Sequence, residues 1–249
     1  MINNHDLLKK LNQLLAIDKF QDYCPNGLQV EGSKTIDRVV TGVSINQDLI
    51  DYAITKKAQA IIVHHGIFWH KDDYCITGIK YKRLKSLLEN NINLYAYHLP
   101  LDNHDKFGNN KSLADLLKIN IKGKTGVQDL IWFGSLNKPI YLDKFKKQLD
   151  KKLDRISLCL GNNDQLIKNI AWCTGGADSF FIDAIKLNVD LYITGETSEP
   201  TMSMAKESGV AYIGAGHYAT ERYGIKSLTK YIQHEYKVKA EFIELYNPV

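Results

Sequence analysis

Short apolar runs rich in β-branched residues recur along this chain, each followed by a longer stretch with helical spacing. That alternation restricts the fold more than any other feature. In the first half, Arg38–Val43, Ala60–His64 and Asn93–Tyr97 read as strands, with helices predicted over Gln47–Lys57, Tyr81–Asn90 and near Lys111–Leu117. In the second half, strands are expected at Asn169–Thr174, Asp190–Thr194 and Val210–Gly214, with helices at Ser179–Leu187 and Met202–Ser208. Strand–helix–strand order specifies an α/β sheet with parallel neighbours. Such crossovers are right-handed, and they build ligand sites at the carboxyl ends of the strands.

The two halves match in order. Thr41-Gly42 answers to Thr174-Gly175, Ala60–Val63 to Asp190–Ile193 or its one-residue neighbour, and Asn93–His98 to Ala211–His217 with one insertion. Hydrophobic pattern alone does not separate a duplication from two ordinary α/β units; the placement of polar residues favours the duplication. The expected fold is therefore α/β, two related lobes from an internal duplication, with a site at the carboxyl ends of strands between them. The boundaries drawn are 1–122 and 123–249. A central segment of about 123–165 is inserted, and the C-terminus is allotted a path back onto the first lobe. Within that segment Gly123–Gly134 reads as turn-rich, Lys144–Arg155 as a basic amphipathic helix with a solvated face, and Ile156–Leu160 as a strand.

Composition excludes several classes of function. Among 249 residues, 32 Lys and Arg against 28 Asp and Glu leave a net charge of +4, too little to argue for nucleic acid. The four cysteines, Cys24, Cys75, Cys159 and Cys173, form no CxxC pair, which rules out a thiolate zinc ribbon and fits a reducing compartment. Met1–Phe20 reads as an amphipathic helix carried by Leu7, Leu8, Leu11, Leu14 and Leu15, not as a signal peptide. With no apolar run of about 18 residues, the expected location is the cytoplasm. No Gly-x-Gly-x-x-Gly follows the first strand and there is no P-loop lysine motif.

Four strand ends carry unusual polar residues. Val63-His64-His65-Gly66 places two imidazoles at the end of a buried strand, and Gly66 permits the bend that would bring them together. Tyr97-His98-Leu99-Pro100-Leu101-Asp102 and Gly216-His217-Tyr218-Ala219-Thr220-Glu221 each set a carboxylate four residues after a histidine, which is one helical face. Pro100 argues for a turn in the first of these. Gly195-Glu196 stands where the first half has its His-His pair, so Glu196 reads equally as a carboxylate near the site or as part of a helix cap. His70 and His104 flank the motifs, and His5 and His234 fall on surface helices. Imidazoles and carboxylates without thiols suit zinc, iron, manganese or nickel. The set His64, His65, Asp102, His217 and Glu221 exceeds the three protein ligands of one catalytic zinc. It points to two metals about 3.5–4 Å apart, activating water.

Asn26-Gly27-Leu28-Gln29-Val30, Val63–Trp69, His98–Asp102 and Gly216–Glu221 stand, in that order, as they do in a known family. The chain resembles the GTP cyclohydrolase I type 2 homologues, also described as NGG-interacting-factor-like dinuclear metal proteins. The resemblance spans nearly the whole chain. It implies two divalent cations on His64, His65, Asp102, His217 and Glu221, with Glu221 bridging, two related α/β lobes, and a toroidal homohexamer. The family often has His-His-Pro where this chain has His64-His65-Gly66. The activity implied is attack of metal-bound hydroxide on a purine nucleotide such as GTP, with His98 or Glu196 carrying protons. The alternative is a non-enzymatic metal-binding or regulatory protein acting through a ring assembly and protein partners.

Overall fold

Strands buried on both faces form the centre of two sheets. The computed structural model describes every residue from Met1 to Val249. The chain divides into one unit of Met1–Gly108 and Gly224–Tyr246 and another of Asn109–Tyr223 and Asn247–Val249. In chain order the first elements are α1 (Asn4–Leu15), β1 (Gly27–Val30), β2 (Arg38–Ser44), α2 (Gln47–Thr55), β3 (Ala60–His65), α3 (Gly78–Glu89), β4 (Asn93–Ala96) and α4 (Leu99–Asp102). Next come α5 (Asn109–Leu117), β5 (Asn120–Thr125), β6 (Ile131–Tyr141), α6 (Leu142–Leu153), β7 (Leu158–Leu160) and β8 (Leu166–Trp172). The remainder comprises α7 (Phe181–Ile185), β9 (Leu191–Thr194), α8 (Thr201–Ser208), β10 (Ala211–Gly214), α9 (His217–Tyr236) and β11 (Lys239–Phe242).

In the first unit, Asn3 caps α1 by accepting from the N–H groups of His5 and Asp6, and Leu7, Leu11 and Leu15 bury one stripe of the helix. The helix is shorter than its apolar pattern suggests, because Ala16 turns left-handed (φ 49°) and the chain passes into a 3-10 turn, Ile17–Lys19. The sheet runs β11-β2-β3-β4-β1, with the first four strands parallel and β1 antiparallel at the edge. Ala60, Ile61, Ile62 and Val63 of β3 are all fully buried. This is why the sequence there is an unbroken apolar run and not an alternating one.

In the second unit the sheet runs β5-β6-β8-β9-β10-β7, with β8, β9 and β10 parallel. The parallel trio has the same connectivity as in the first unit. A strand earlier in the sequence pairs antiparallel with the third member, β1 with β4 and β7 with β10. Register refines the match between halves. Ala60 pairs with Val39 and Asn93 as Leu191 pairs with Ile170 and Ala211, so Val39 matches Ile170 and the counterpart of Thr41-Gly42 is Trp172-Cys173. Thr174-Gly175 falls two residues beyond it, after the strand has ended.

Gly123–Gly134, read from sequence as turns, is largely sheet. Gly123 lies in β5 beside a register shift, and Gly134 lies in β6. A Cβ on Gly123 would come within 2.7 Å of the Phe133 ring, and one on Gly134 would strike the Asn120 carbonyl. These glycines admit close neighbours within a sheet, a use that looks like turn chemistry in a sequence. The turn itself is short, at Gly126 (φ 77°) and the 3-10 residues Val127–Asp129. The Ser179–Leu187 helix is likewise reduced to a 3-10 turn and the five residues of α7. No helix is long and apolar enough to cross a membrane.

One buried polar side chain ties the first sheet to its loops. Asn93, at the start of β4, is 0% exposed. Its Nδ2 donates to the carbonyls of Ser33 (2.8 Å) and Gln59 (3.0 Å), and its Oδ1 accepts from Gly32 N (2.9 Å). Truncation removes these bonds from the partly buried Gly32 N–H and Ser33 carbonyl, while the Gln59 carbonyl keeps the Asn93 backbone N–H. Asn93→Ala should lower the unfolding free energy by about 3 kcal/mol, read from the denaturant midpoint; a change below about 1 kcal/mol would contradict this role.

Candidate metal centre

The end of β3 delivers two imidazoles at once. His64 is fully buried and His65 is half-buried, and their ring centroids are 4.5 Å apart. Consecutive strand residues ordinarily face opposite ways, so the convergence of these rings marks the end of regular strand. Gly66 allows it through space and not through a left-handed backbone. A Cβ there would strike the Gln29 side-chain amide, whose Oε1 accepts from Ile67 N at 2.9 Å.

Each imidazole is oriented through Nδ1. His64 Nδ1 donates to the Tyr97 carbonyl at 2.8 Å, which leaves the Nε2 lone pair to face Asp102 Oδ1 at 3.5 Å. His65 lies opposite Ser44 in the β2/β3 ladder and shares a 2.8 Å hydrogen bond between Nδ1 and Ser44 Oγ. His98, just before α4, donates from Nδ1 to Asp22 Oδ1 at 2.7 Å. The ligand atoms of His64, His65 and His98 all lie within 4.8 Å of one another. Pro100 sits in the first turn of α4, where its missing N–H costs nothing. The His98–Asp102 segment is thus a single helical turn, and it carries Asp102 toward His64.

Asp22 had no visible signal in the sequence. It lies on a loop and its side chain is only 3% exposed. Burial alone would raise its carboxyl. The hydrogen bond and charge of His98, with donors from Asn26 Nδ2 and Leu99 N, outweigh that and hold it at about 2. Cys24 nearby is pushed up to about 12, first by burial and then by the charges of Asp22 and Asp102. Its Sγ nevertheless lies within 4.8 Å of ligand atoms of Asp22 and His98, a group that the sequence reading, built on imidazole and carboxylate, did not include.

The second unit holds its own set. His217 opens α9, and Glu221 follows one turn later on the same face, with His217 Nε2 and Glu221 Oε2 3.2 Å apart. His217 Nδ1 donates to Glu196 Oε1 at 2.6 Å. Glu196 is therefore directed at His217, and α8 begins without a side-chain cap. Burial alone would lower the His217 imidazole, but hydrogen bonds and charges of Glu221 and Glu196 raise it to about 9. Two carboxylates thus face one imidazole, an arrangement whose negative charge either a proton or a divalent cation would balance. The segment after β8 supports this geometry. Thr194 Oγ1 donates to the Gly175 carbonyl (2.9 Å), and Gly175 N donates to Thr220 Oγ1 (3.0 Å). A Cβ on Gly175 (φ 72°) would strike Glu221 Oε1 and lie 3.2 Å from His217 Nε2. The chain leaves its backbone bare where these two donors converge.

The donor chemistry fits divalent cations. An engaged Nδ1 fixes the tautomer that presents Nε2, and a carboxylate on the far nitrogen strengthens the ligand. The remaining histidines are elsewhere engaged. His104 Nδ1 accepts from Lys106 N and Phe107 N, His5 pairs with Glu31, and His70 and His234 are exposed.

The chain is similar to known proteins over nearly its whole length. The family model described as Duf34/NIF3 (NGG1p interacting factor 3) matches residues 2–248. A Haemophilus influenzae protein called GTP cyclohydrolase 1 type 2 homolog is 47% identical, covering 99% of this chain and 100% of the relative. One of the same name from Yersinia pestis is 45% identical with the same coverage. The solved structure of a protein named ybgI, of unknown function, superposes with a TM-score of 0.96 at 41% identity, covering 100% of both chains. TTHA1606 from Thermus thermophilus does so at 0.90 and 29% identity, again covering 100% of both. The chain belongs to the Duf34/NIF3 (NGG1p interacting factor 3) family.

Proposed function

We propose that this protein is a metal-dependent hydrolase. In this reading two divalent cations are held by His64, His65, Asp102, His217 and Glu221, with Glu221 bridging. The substrate is a purine nucleotide or a related ring, as the name of the relatives suggests. The observation that carries the reading is the set of imidazoles whose Nδ1 is engaged, by Tyr97, Ser44 or Glu196, so that Nε2 is left for ligation. When bound, two such cations supply Lewis acidity toward a substrate oxygen and lower the pKa of water.

The chain's own residues then have separable tasks. Tyr97, Ser44 and Glu196 orient the ligands. Asp22 holds the proton of His98 on Nδ1, so Nε2 faces the site as a proton acceptor. Glu196, 45% exposed, is the second proton carrier and the brace of His217. The same reading takes the working form to be a toroidal homohexamer in the cytoplasm.

Three outcomes test it. Elemental analysis of the purified protein should find two divalent metals per chain, and the loaded protein should turn over GTP or a member of a purine-nucleotide panel. Metals without turnover anywhere in the panel would sink the hydrolase, and no metal would sink the site. Glu196→Gln and Gly175→Ala should each weaken metal binding by about 10–100-fold, measured by competition with a chromogenic chelator, while far-ultraviolet circular dichroism stays unchanged. Asp22 gives a pH signature. Its folded carboxyl, at about 2, lies below the ordinary 3.8. It therefore contributes about 2 kcal/mol of stability above pH 4 that is lost as pH falls toward 2. Asp22→Asn should be less stable than wild type near neutrality, with the difference shrinking across that acid window; a constant difference would contradict the assignment.

A further inference from the structure

Beside the imidazole cluster of the first unit lies a cavity of about 380 Å³, formed where the chain leaves β3 and enters α3. Gly66, Ile67 and Trp69 line one wall, and Lys80 and Arg83, one turn apart on α3, line another. Trp69 is shared with the candidate metal centre. Its ring centroid is 5.9 Å from that of His65 and 5.2 Å, edge-on, from that of His98. A ligand in the cavity would therefore meet the same indole that packs against those imidazoles.

The cations of this cavity differ in how they are satisfied. Lys80 Nζ donates to the Asp73 carbonyl at 2.8 Å and lies over the Phe68 ring, 5.2 Å from its centroid. Asp73 also lines the cavity, and its carboxylate accepts from Cys75 N at 2.9 Å. Arg83 is half-buried, and its Nε is shielded from solvent with no hydrogen-bond partner. Burial alone pulls its pKa below the ordinary 12.5, and no carboxylate acts against that shift. Asp72 and Asp73 make the lining formally neutral, yet neither forms an ion pair with Arg83. A half-buried guanidinium whose Nε is shielded and which has no carboxylate partner keeps donors that an anionic ligand would satisfy. Its planar fork of donors matches the oxygens of a phosphoryl or carboxylate group.

We propose that Arg83 is the anion-binding residue of a subsite in this cavity, which takes the phosphoryl or carboxylate group of a ring-bearing ligand whose ring lies against Trp69. This rests on the reading of the adjoining site as a metal-dependent centre that acts on a ring, and it names how such a substrate would be held. Lys80, also in the lining, adds a second positive charge. The ligand's ring and its anionic group are gripped by different walls, so specificity would require both parts on one molecule.

The test is calorimetric titration of the full-length, metal-loaded protein with phenyl phosphate and, in a second arm, with benzoate. The two arms distinguish a phosphoryl from a carboxylate ligand. Saturable binding of one or both is expected, weakened at least about tenfold by Arg83→Gln and only partly restored by Arg83→Lys, which keeps the charge but loses the planar fork, with metal content per chain the same in all three proteins. Trp69→Leu should weaken both aromatic probes yet leave the affinity for inorganic phosphate unchanged. Binding equal in wild type and Arg83→Gln, or no binding of either probe to wild type, would overturn the subsite even if two metals are present. Arg83-dependent binding by a protein that holds no metal would keep the subsite and overturn the metal centre instead.

Discussion

A histidine serves a cation best when its second nitrogen is already engaged, and the histidine sets of both units are organised around that requirement. The Tyr97 carbonyl, Ser44 Oγ, Asp22 and Glu196 take the Nδ1 positions of His64, His65, His98 and His217 respectively. None of these partners adjoins its histidine in sequence. Each is placed by a strand or loop with its own reason to be where it is: Tyr97 N donates to Val63 O, and Ser44 is the ladder partner of His65. The parallel strands thus do more than carry ligands to their ends. Through Ser44 and the strand-end residue Tyr97 they also fix which ring nitrogen His65 and His64 offer.

Close backbone approach is the second condition. Gly66 makes room for the Gln29 amide, Gly175 for Glu221 and His217, and a Cβ on Gly195 would come within 2.6 Å of His217 Cα. In each case glycine leaves space beside a donor, and only Gly175 among these also needs a left-handed φ. Buried threonines complete the support in the second unit, where Thr194 and Thr220 hold the Gly175 peptide from both its carbonyl and its N–H. Precision at such a site comes from its scaffold, because a ligand displaced by a fraction of an ångström loses much of its value.

Much of the fold could be read from the chain. The continuous apolar runs at Ala60–Val63 and Leu191–Thr194 are strands because a parallel sheet covered on both faces demands such runs. The spacing of His217 and Glu221 became a helical face with the two side chains 3.2 Å apart, as i, i+4 geometry requires. Gly123 and Gly134 misled, because a glycine that relieves crowding in a sheet looks the same in sequence as one that turns the chain. Asp22, Ser44 and Arg83 were invisible for another reason. Asp22 and His98 are 76 positions apart, and an isolated aspartate on a loop carries no periodicity to betray its partner.

The sequence by itself determined most of the buried strands and amphipathic helices and which residue types crowd their ends, because burial and helical spacing are local and leave repeating patterns. Only the tertiary structure decided which nitrogen each imidazole presents, which glycines stand aside for a carboxylate, and that Arg83 faces a cavity without a counter-ion. Those outcomes depend on hydrogen bonds and close contacts between segments far apart in the chain, and no local pattern encodes the distance between them.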